Sequence, residues 1–318
     1  MNQSLSCIIC SSTKQDVIRD TLRYGIKRNV LRCRKCGFVF LETVPRPDYY
    51  FGKEYRRTYG PNLKKDSDSR EIFEAYFPVQ ERIIQRMKNF LKADMKVLDV
   101  GCSTGHFLSA LKNRVKERVG LELSREHADF IKSNLDFKVY SEPIESANVK
   151  EGPFDLVTAF QTLEHVEKPI DFLKGIARNL KSDGHLYLEL PNIDDALLSV
   201  YCVTGYEDFY YREPHVSYFS KKTLGALLNK AGFEGKISTI QDYGLFNHLR
   251  WIFTNKPQDN FAPANSNPLS VKDKKLYSGL KKDLNDFAQR IDEEYKSILE
   301  KCGIGETLTF LGKKINAR

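Results

Sequence analysis

The sequence has no apolar run that approaches the roughly 18–20 residues needed to span a bilayer. Its first ten residues, MNQSLSCIIC, contain no basic stretch followed by an apolar core, which a secretory signal requires. No internal repeat is visible, so a repeat architecture is not expected. These absences predict a chain without a membrane span, and we expect it in the cytoplasm.

The composition fits a folded protein of more than one average domain. The chain has 318 residues, of which 41% are apolar, enough to build a packed core. Its formal net charge is +8, and the lysines and arginines are spread along the chain, densest between Arg23 and Lys35. Such a balance fits either a solvated basic surface or an anionic substrate such as a sugar nucleotide.

Four of the seven cysteines are paired by spacing. Without an export signal the thiols are expected to be reduced, which favours metal binding over disulfides. Two Cys-x-x-Cys pairs, 22 residues apart, suit tetrahedral zinc, and a structural site of this kind is closed and does no chemistry itself. We therefore predict a zinc ribbon over residues 1–45 with Zn²⁺ bound by Cys7, Cys10, Cys33 and Cys36.

Strands and helices alternate through the middle of the chain. After a helical stretch at 72–92, which Pro78 should kink or divide, short apolar runs are each followed by helical spacing. Such alternation predicts an α/β fold, a parallel sheet with helices on both faces. The predicted strands are 95–100, 117–123, FKVY, 154–160, 185–190 and FEGKISTI.

Residues 241–300 interrupt this pattern before a last strand in GETLTFLGKK. A long helix is predicted over about 270–301, with apolar residues at three-four spacing from Leu276 to Ile298. These apolar residues would lie on one side of the helix, which predicts that the helix either packs on the chain's own sheet or forms a homodimer through 270–300. The predicted division is a ribbon (1–45), a connector (46–70), a core (71–240), a helical insertion (241–300) and the final strand (301–318).

A glycine-rich loop follows the first strand of the core. The segment VLDVGCSTGHFL runs from strand through Gly101-x-x-x-Gly105 into a helix, where backbone amides and the helix N-terminus can approach a ligand. The spacing is neither Gly-x-Gly-x-x-Gly nor a Gly-Lys-Ser phosphate loop, so the ligand need not carry a pyrophosphate. About 20 residues later, Glu122 ends the next strand, where a carboxylate suits ribose hydroxyls.

At these residues the chain resembles the class I S-adenosylmethionine-dependent methyltransferases, and the resemblance covers about 80–240 and the final strand. It implies a Rossmann-like fold with S-adenosylmethionine as cofactor. It also implies that Glu122 holds the ribose, that the backbone from Gly101 to Gly105 faces the methionine end, and that Asp99 orders the loop. By the same resemblance Glu142 and Ile144 border adenine. The other expected cofactor contacts are Cys102, Leu123, Phe160 and Gln161.

Two histidines lie where open α/β sheets bind ligands. His165 follows the fourth strand in LEHVEKP, and His215 follows the fifth in REPHVSYFS. A hydroxyl acceptor must lose its proton, and histidine is the usual base near neutral pH. We predict His215 as the base and His165 as the second candidate; the alternative for each is a structural role in its loop.

The chain also resembles bacterial sugar- and polysaccharide-modifying methyltransferases with an N-terminal zinc ribbon, including sugar C-methyltransferases. The latter carry a His-Glu-His run before Tyr-Phe-Ser, whereas this chain reads Glu213-Pro214-His215 before Tyr218-Phe219-Ser220, and their extra C-terminal domain is not expected here. The prediction is therefore O- or C-methylation of a sugar, sugar nucleotide or surface glycan. The alternative is a methyltransferase that modifies RNA, or a protein whose zinc ribbon binds nucleic acid. QTLEHV lacks the Asn/Asp-Pro-Pro-Tyr run of base-amine methyltransferases, so a nucleic-acid partner is not expected.

Overall fold

The computed structural model describes residues 5–44, 67–257 and 278–315. Most of the predicted connector, the loop before the long helix and that helix's predicted first turns, including Leu276, lie outside these ranges. The strands are β1 Gln15–Thr21, β2 Lys27–Cys33, β3 Val39–Leu41, β4 Lys96–Val100, β5 Glu117–Leu121, β6 Lys138–Tyr140, β7 Phe154–Phe160, β8 Leu180–Pro191, β9 Ser217–Tyr218, β10 Phe233–Ile240 and β11 Thr307–Lys314. The helices are α1 Ser69–Tyr76, α2 Gln80–Met87, α3 His106–Ala110, α4 Arg125–Asn134, α5 Pro169–Asn179, α6 Ala196–Ser199, α7 Thr204–Tyr210, α8 Lys221–Lys230, α9 Leu245–Thr254 and α10 Ser278–Cys302.

Seven strands form the central sheet in the order β10-β11-β8-β7-β4-β5-β6. The strands from β4 to β8 pair in parallel, and β11 runs antiparallel between β8 and β10. Neighbouring residues of β4 enter different hydrophobic clusters, Leu98 one and Val97 the other, because successive side chains of a strand point to opposite faces. The sheet is therefore covered on both faces, and the predicted Rossmann-like fold is confirmed.

The structure agrees in part with the two helices predicted outside the alternating segment, at 72–92 and at about 270–301. A 3₁₀ turn at Phe77–Val79 separates α1 from α2, so Pro78 divides the predicted helix. In α10, Ala288 and Leu299 are buried, while Leu280, Phe287 and Ile298 are about half exposed. A homodimer through this helix stays a prediction. Within the described ranges, none of the helices combines the length and apolar character that crossing a bilayer requires.

The N-terminal strands form a second sheet with a strand from the core, which the sequence did not suggest. The order is β1-β2-β3-β9, and the antiparallel pair β3 and β9 joins Val39 to Tyr218 and Phe40 to Ser217. The ribbon, here residues 5–44, therefore shares a sheet with the segment that carries His215.

Aromatic packing continues this association into the hydrophobic core. The rings of Phe38 and Phe219 lie 5.3 Å apart, and both side chains are buried. Leu22 and Val30 of the ribbon pack in one cluster with Tyr218. Because buried side chains of the two parts contact each other directly, removing the ribbon would expose apolar surface of the core.

Candidate functional site

A cavity of about 800 Å³ opens at the carboxyl ends of β4, β5, β7 and β8, the edge at which α/β sheets bind ligands. Its volume lies within the range of cofactor and substrate pockets. Eight of the ten predicted cofactor contacts line it: Asp99, Gly101, Cys102, Glu122, Leu123, Ile144, Phe160 and Gln161. The remaining two, Gly105 and Glu142, are absent from its lining, and Glu142 is exposed to solvent.

The loop after β4 approaches the loop after β7 so closely that position 101 has no space for a side chain. Gly101 has a φ of +79°, and a Cβ there would lie 2.5 Å from Thr162 Oγ1. Gly105 begins α3 with a φ of +78°, and a Cβ there would lie 2.6 Å from the ring of Phe137. The first glycine thus shapes the cavity and the second packs α3 on the core. Ser103 and Gln161 also adopt positive φ, a strain typical of ligand-binding loops.

Glu122 connects the glycine loop to the end of β5. Its carboxylate accepts hydrogen bonds from the backbone N–H groups of Ser103 and Ser124, both at 2.8 Å. The side chain is buried and lines the cavity. A carboxylate has about four acceptor positions, so these two bonds are compatible with a ribose contact as well.

Asp99 lies beneath the same loop and is fully enclosed. Thr158 Oγ1 donates to its carboxyl at 2.7 Å. Burial raises the pKa of Asp99 to about 7, the hydrogen bond from Thr158 acts in the opposite direction, and the charge of Glu122 adds to the increase. Asp99 ties β4 to β7 at the base of the cavity.

The two predicted histidines lie together on the cavity wall. The rings of His165 and His215 are 4.9 Å apart and edge to face. His165 Nδ1 lies 2.8 Å from the carbonyl oxygen of Pro214, which assigns the proton to Nδ1. His215 Nε2 accepts from Arg212 Nε at 2.9 Å.

The side chain of Glu164 lies beside both histidines, and the sequence analysis did not predict it as a site residue. One carboxyl oxygen of Glu164 lies 3.9 Å from Nε2 of each histidine, and neither oxygen has a hydrogen-bond partner among the described residues. Burial raises the pKa of Glu164 to about 8, against the charge of Arg212. Burial lowers the pKa of His215 well below its usual value, and the charges of Arg212 and His165 act in the same direction.

Residues from the ribbon and from α7 form another part of the cavity wall. The Arg23 guanidinium lies 3.9 Å from the centre of the Phe209 ring, and Tyr24, Tyr206 and Tyr210 line the cavity beside them. No local sequence pattern indicates these residues, because the sequence does not show that the β1–β2 turn meets α7. Glu164, by contrast, follows β7 next to His165, so its position alone could have indicated it.

The four paired cysteines come together as predicted. Cys7 Sγ lies 3.5 Å from Cys36 Sγ, and Cys10 Sγ lies 3.5 Å from Cys33 Sγ. All four sulfurs are within 4.8 Å of one another. A tetrahedral zinc site with bonds of about 2.3 Å requires sulfur separations of about 3.8 Å, so this four-cysteine cluster fits the metal.

Comparisons with known proteins agree with this geometry. A family model described as "Methyltransferase domain" matches residues 70–236, just over half of the 318-residue chain. The "Ubiquinone biosynthesis O-methyltransferase" of Aliivibrio fischeri is 30% identical over 104 residues, covering 30% of this chain and 44% of that protein. Its namesake from Photobacterium profundum is 27% identical over 169 residues, covering 49% of this chain and 71% of that protein. The chain thus matches less than half the length of the first relative.

Among solved structures, a SAM-dependent methyltransferase from Archaeoglobus fulgidus aligns with 78% of this chain and 100% of its own at 20% identity, with a TM-score of 0.48. The plantazolicin methyltransferase BpumL, solved in complex with SAH, aligns with 84% of this chain and 93% of its own at 15% identity and a TM-score of 0.48.

The family match contains the glycine loop, Glu122 and both histidines of the cavity. The chain therefore belongs to the methyltransferase domain family.

Proposed function

We propose that this enzyme methylates a hydroxyl oxygen of a sugar or sugar nucleotide. The single observation that carries the proposal is that Glu164, His165 and His215 line the same cavity as the glycine loop and Glu122. S-adenosylmethionine supplies an electrophilic methyl group on a sulfonium. The residues of the loop and Glu122 bind it, and the Glu-His-His cluster acts on the acceptor's hydroxyl.

The rest of the cavity suits a polar acceptor. Arg23 lies in its wall together with aromatic rings such as Tyr24 and Tyr76, and Arg82 also lines it, paired with Asp242 at 3.6 Å. Guanidinium groups recognise anions, and aromatic faces cover the apolar side of a ring, a combination that fits a nucleotide-linked sugar. Methylation at oxygen, rather than at carbon, is supported by the curated relatives, which are named as O-methyltransferases.

An intermediate of ubiquinone biosynthesis is the second candidate acceptor, because the curated relatives are named for that pathway. A nucleic-acid acceptor has less support. Among the basic side chains of the ribbon, Arg28 pairs with Glu213 at 2.7 Å and Arg34 pairs with Asp16, so both charges are already engaged within the chain.

The residue roles remain proposals. With Nδ1–H directed at the Pro214 carbonyl, a neutral His165 has Nε2 as its accepting nitrogen, whereas His215 Nε2 accepts from Arg212. We expect His165→Ala and His215→Ala each to lower turnover by about 10²–10⁴-fold while affinity for S-adenosylmethionine stays near wild type.

The test uses transfer of a labelled methyl group to nucleotide sugars, to a phenol with neighbouring hydroxyls and to an RNA oligonucleotide. Label on a sugar oxygen supports the proposal. Label on the phenol favours the second candidate, label on RNA favours the alternative, and label on a sugar carbon contradicts O-methylation.

We further propose that the four-cysteine cluster binds one structural Zn²⁺. The sulfur distances and the all-thiolate donor set support it. The cluster lies in the ribbon, so zinc would act there by holding β1, β2 and β3 in place.

A further inference from the structure

Four arginines line the described part of the cavity, and Arg212 differs from the others in its contacts. Two of them, Arg82 and Arg86, form ion pairs with Asp242. Arg212 forms no ion pair with an acid in the described part of the chain. Its side chain makes one hydrogen bond there, from Nε to His215 Nε2 at 2.9 Å. The charge of Arg212 is therefore not compensated by a direct contact.

The terminal nitrogens of Arg212 open onto the cavity. A guanidinium carries five N–H groups, and four of them belong to these two nitrogens. Neither nitrogen has a hydrogen-bond partner among the described residues, and neither is enclosed by protein. The planar fork that they form matches two oxygens of a carboxylate or a phosphate. Arg212 thus offers a bidentate anion-binding group to a ligand in the cavity.

Contacts with β9 and with the ribbon hold Arg212 in this orientation. Its backbone N–H donates to the buried Tyr218 hydroxyl at 3.0 Å, and this hydroxyl donates to the Arg212 carbonyl oxygen at 3.1 Å. The backbone N–H of Arg23 donates to the carbonyl oxygen of Tyr211, the preceding residue, at 2.6 Å. With Nε also directed at His215, both the backbone and the side chain are fixed. Binding an anion would therefore require little further ordering of this side chain.

The nearby carboxyl group of Glu164 does not neutralise Arg212. Burial raises the pKa of Glu164 to about 8, against a backbone hydrogen bond and the charge of Arg212. A carboxyl with this pKa is mostly protonated near neutral pH. His215 accepts a hydrogen bond at Nε2, and burial lowers its pKa well below the usual value, so it adds no carboxylate-like charge and stays neutral. The charge at this part of the wall is therefore positive, which favours an anionic ligand.

The position of Arg212 relates such an anion to the reacting hydroxyl. Its guanidinium is one hydrogen bond away from His215, and the rings of His215 and His165 are 4.9 Å apart. These are the two histidines that we expect to act on the acceptor. A group bound to Arg212 would therefore lie close to the reacting hydroxyl, as a substituent of the same sugar ring does.

We propose that Arg212 is a specificity-determining residue that binds a carboxylate or phosphate carried by the acceptor on the same sugar as the hydroxyl to be methylated. The inference rests on the proposed O-methylation of a sugar and narrows the acceptor to acidic sugars, either uronic acids or sugar phosphates. Arg212 binds and orients the acceptor and exchanges no proton with it.

The experiment compares three sugars that differ at one carbon: glucuronate, glucose 6-phosphate and glucose. Calorimetry measures their binding to the full chain saturated with S-adenosylhomocysteine. We expect at least one of the two acidic sugars to bind at least tenfold more tightly than glucose. A preference for glucuronate identifies a carboxylate as the ligand, and a preference for glucose 6-phosphate identifies a phosphate.

Three variants test whether Arg212 causes this preference. Arg212→Gln removes the charge and the fork and should abolish it. Arg212→Lys keeps the charge alone and should retain part of it. Arg114→Gln removes the same charge from a residue outside the cavity lining, where Arg114 pairs with Glu81, and should leave the preference unchanged. A thermal unfolding midpoint close to that of wild type shows that each variant is folded.

Equal binding of the three sugars by wild type would overturn the proposal, as would a preference that persists in Arg212→Gln. The second result, with turnover lowered equally for every acceptor, would mean that Arg212 only orients His215. If Arg212→Gln instead weakens binding of S-adenosylmethionine and leaves sugar binding unchanged, the anion is the cofactor's own carboxylate and the proposal is wrong.

The proposed function and this inference fail separately. If an acidic sugar binds through Arg212 and no oxygen acceptor is methylated, the anion site stands and the proposed function fails. If neutral sugars are methylated at oxygen and acidic sugars have no advantage, the proposed function stands and this inference fails.

Discussion

Arg28 of the ribbon forms an ion pair at 2.7 Å with Glu213 of the core. Glu213 lies two residues before His215 in the chain. The same segment pairs with the ribbon through β3 and β9, and the N–H of Leu41 donates to the Val216 carbonyl oxygen at 3.0 Å. The ribbon thus holds one strand-like segment of the cavity wall in place.

Loss of zinc should therefore loosen the cavity wall. Metal binding and folding are coupled in small thiolate sites, so Cys33→Ser should lower the zinc content and speed amide exchange at 211–218 while β4 stays protected. We expect turnover to fall at least about tenfold. Hydrogen exchange with mass spectrometry measures this, with Cys302→Ser, an exposed cysteine, as control. Unchanged exchange at 211–218 after zinc loss would contradict the coupling.

Glu122→Ala should weaken S-adenosylmethionine binding. The change removes an acceptor to which Ser103 and Ser124 donate, and with it the expected ribose contact. Hydrogen bonds to a charged group contribute about 1.5–3 kcal/mol, which corresponds to roughly a tenfold to hundredfold loss of affinity. Calorimetry tests this, with the exposed Glu126→Ala as control. Equal affinities would remove Glu122 from the cofactor site.

Gly101→Ala should damage the loop by two separable effects. Positive φ costs a non-glycine residue about 1–2 kcal/mol, and the new Cβ would also collide with Thr162 Oγ1. Gly232→Ala is the matched control, since it has a φ of +83° and nothing within 4 Å of the new Cβ. Denaturant unfolding should show the larger loss for Gly101→Ala, and this extra loss should disappear when Gly101→Ala is measured against Thr162→Ala alone, since Thr162 Oγ1 also donates to the carbonyl oxygens of Val100 and Phe160. A loss equal to that of Gly232→Ala would mean that the close approach is relieved without cost.

Asp99 should make the free energy of unfolding depend on pH. Its pKa is raised from 3.8 to about 7 in the folded protein, chiefly by burial, so the folded state binds the proton more tightly than the unfolded state. The resulting stabilisation is complete below pH 3.8 and is lost as the pH rises to 7, by up to about 4 kcal/mol. Asp99→Asn keeps the acceptor for Thr158 and removes the charge. Urea unfolding from pH 5 to 8 should show a steeper decline for wild type, and parallel curves would contradict the shift.

The core was predictable because its signals are local. Apolar runs of strand length separated by helical spacing define β4 to β8, and Pro78 sits where the helix divides. The glycine loop and Glu122 are recognisable from spacing along one stretch of chain. Patterns of this kind lie within one segment of the sequence, so they predict strands and helices without knowledge of the tertiary structure.

The remainder depends on contacts between distant segments. β9 has two residues, too few for a pattern, and exists because Val39 and Phe40 lie beside it. The position of Glu164 after β7 could have indicated it, but its burial could not be predicted, since glutamates are rarely buried and only the fold encloses it between His165 and His215. The paired cysteines were predictable, whereas the place where their ribbon docks was not.

The shared sheet of β1, β2, β3 and β9 also bears on how such enzymes can diversify. Arg23 and Tyr24 belong to the ribbon, yet they line the cavity of the core. Exchanging this ribbon for another would therefore change residues of the cavity wall while leaving the glycine loop and Glu122 unchanged. Any replacement ribbon would have to reproduce the strand pairing at Ser217 and Tyr218 and the packing of Phe38 on Phe219.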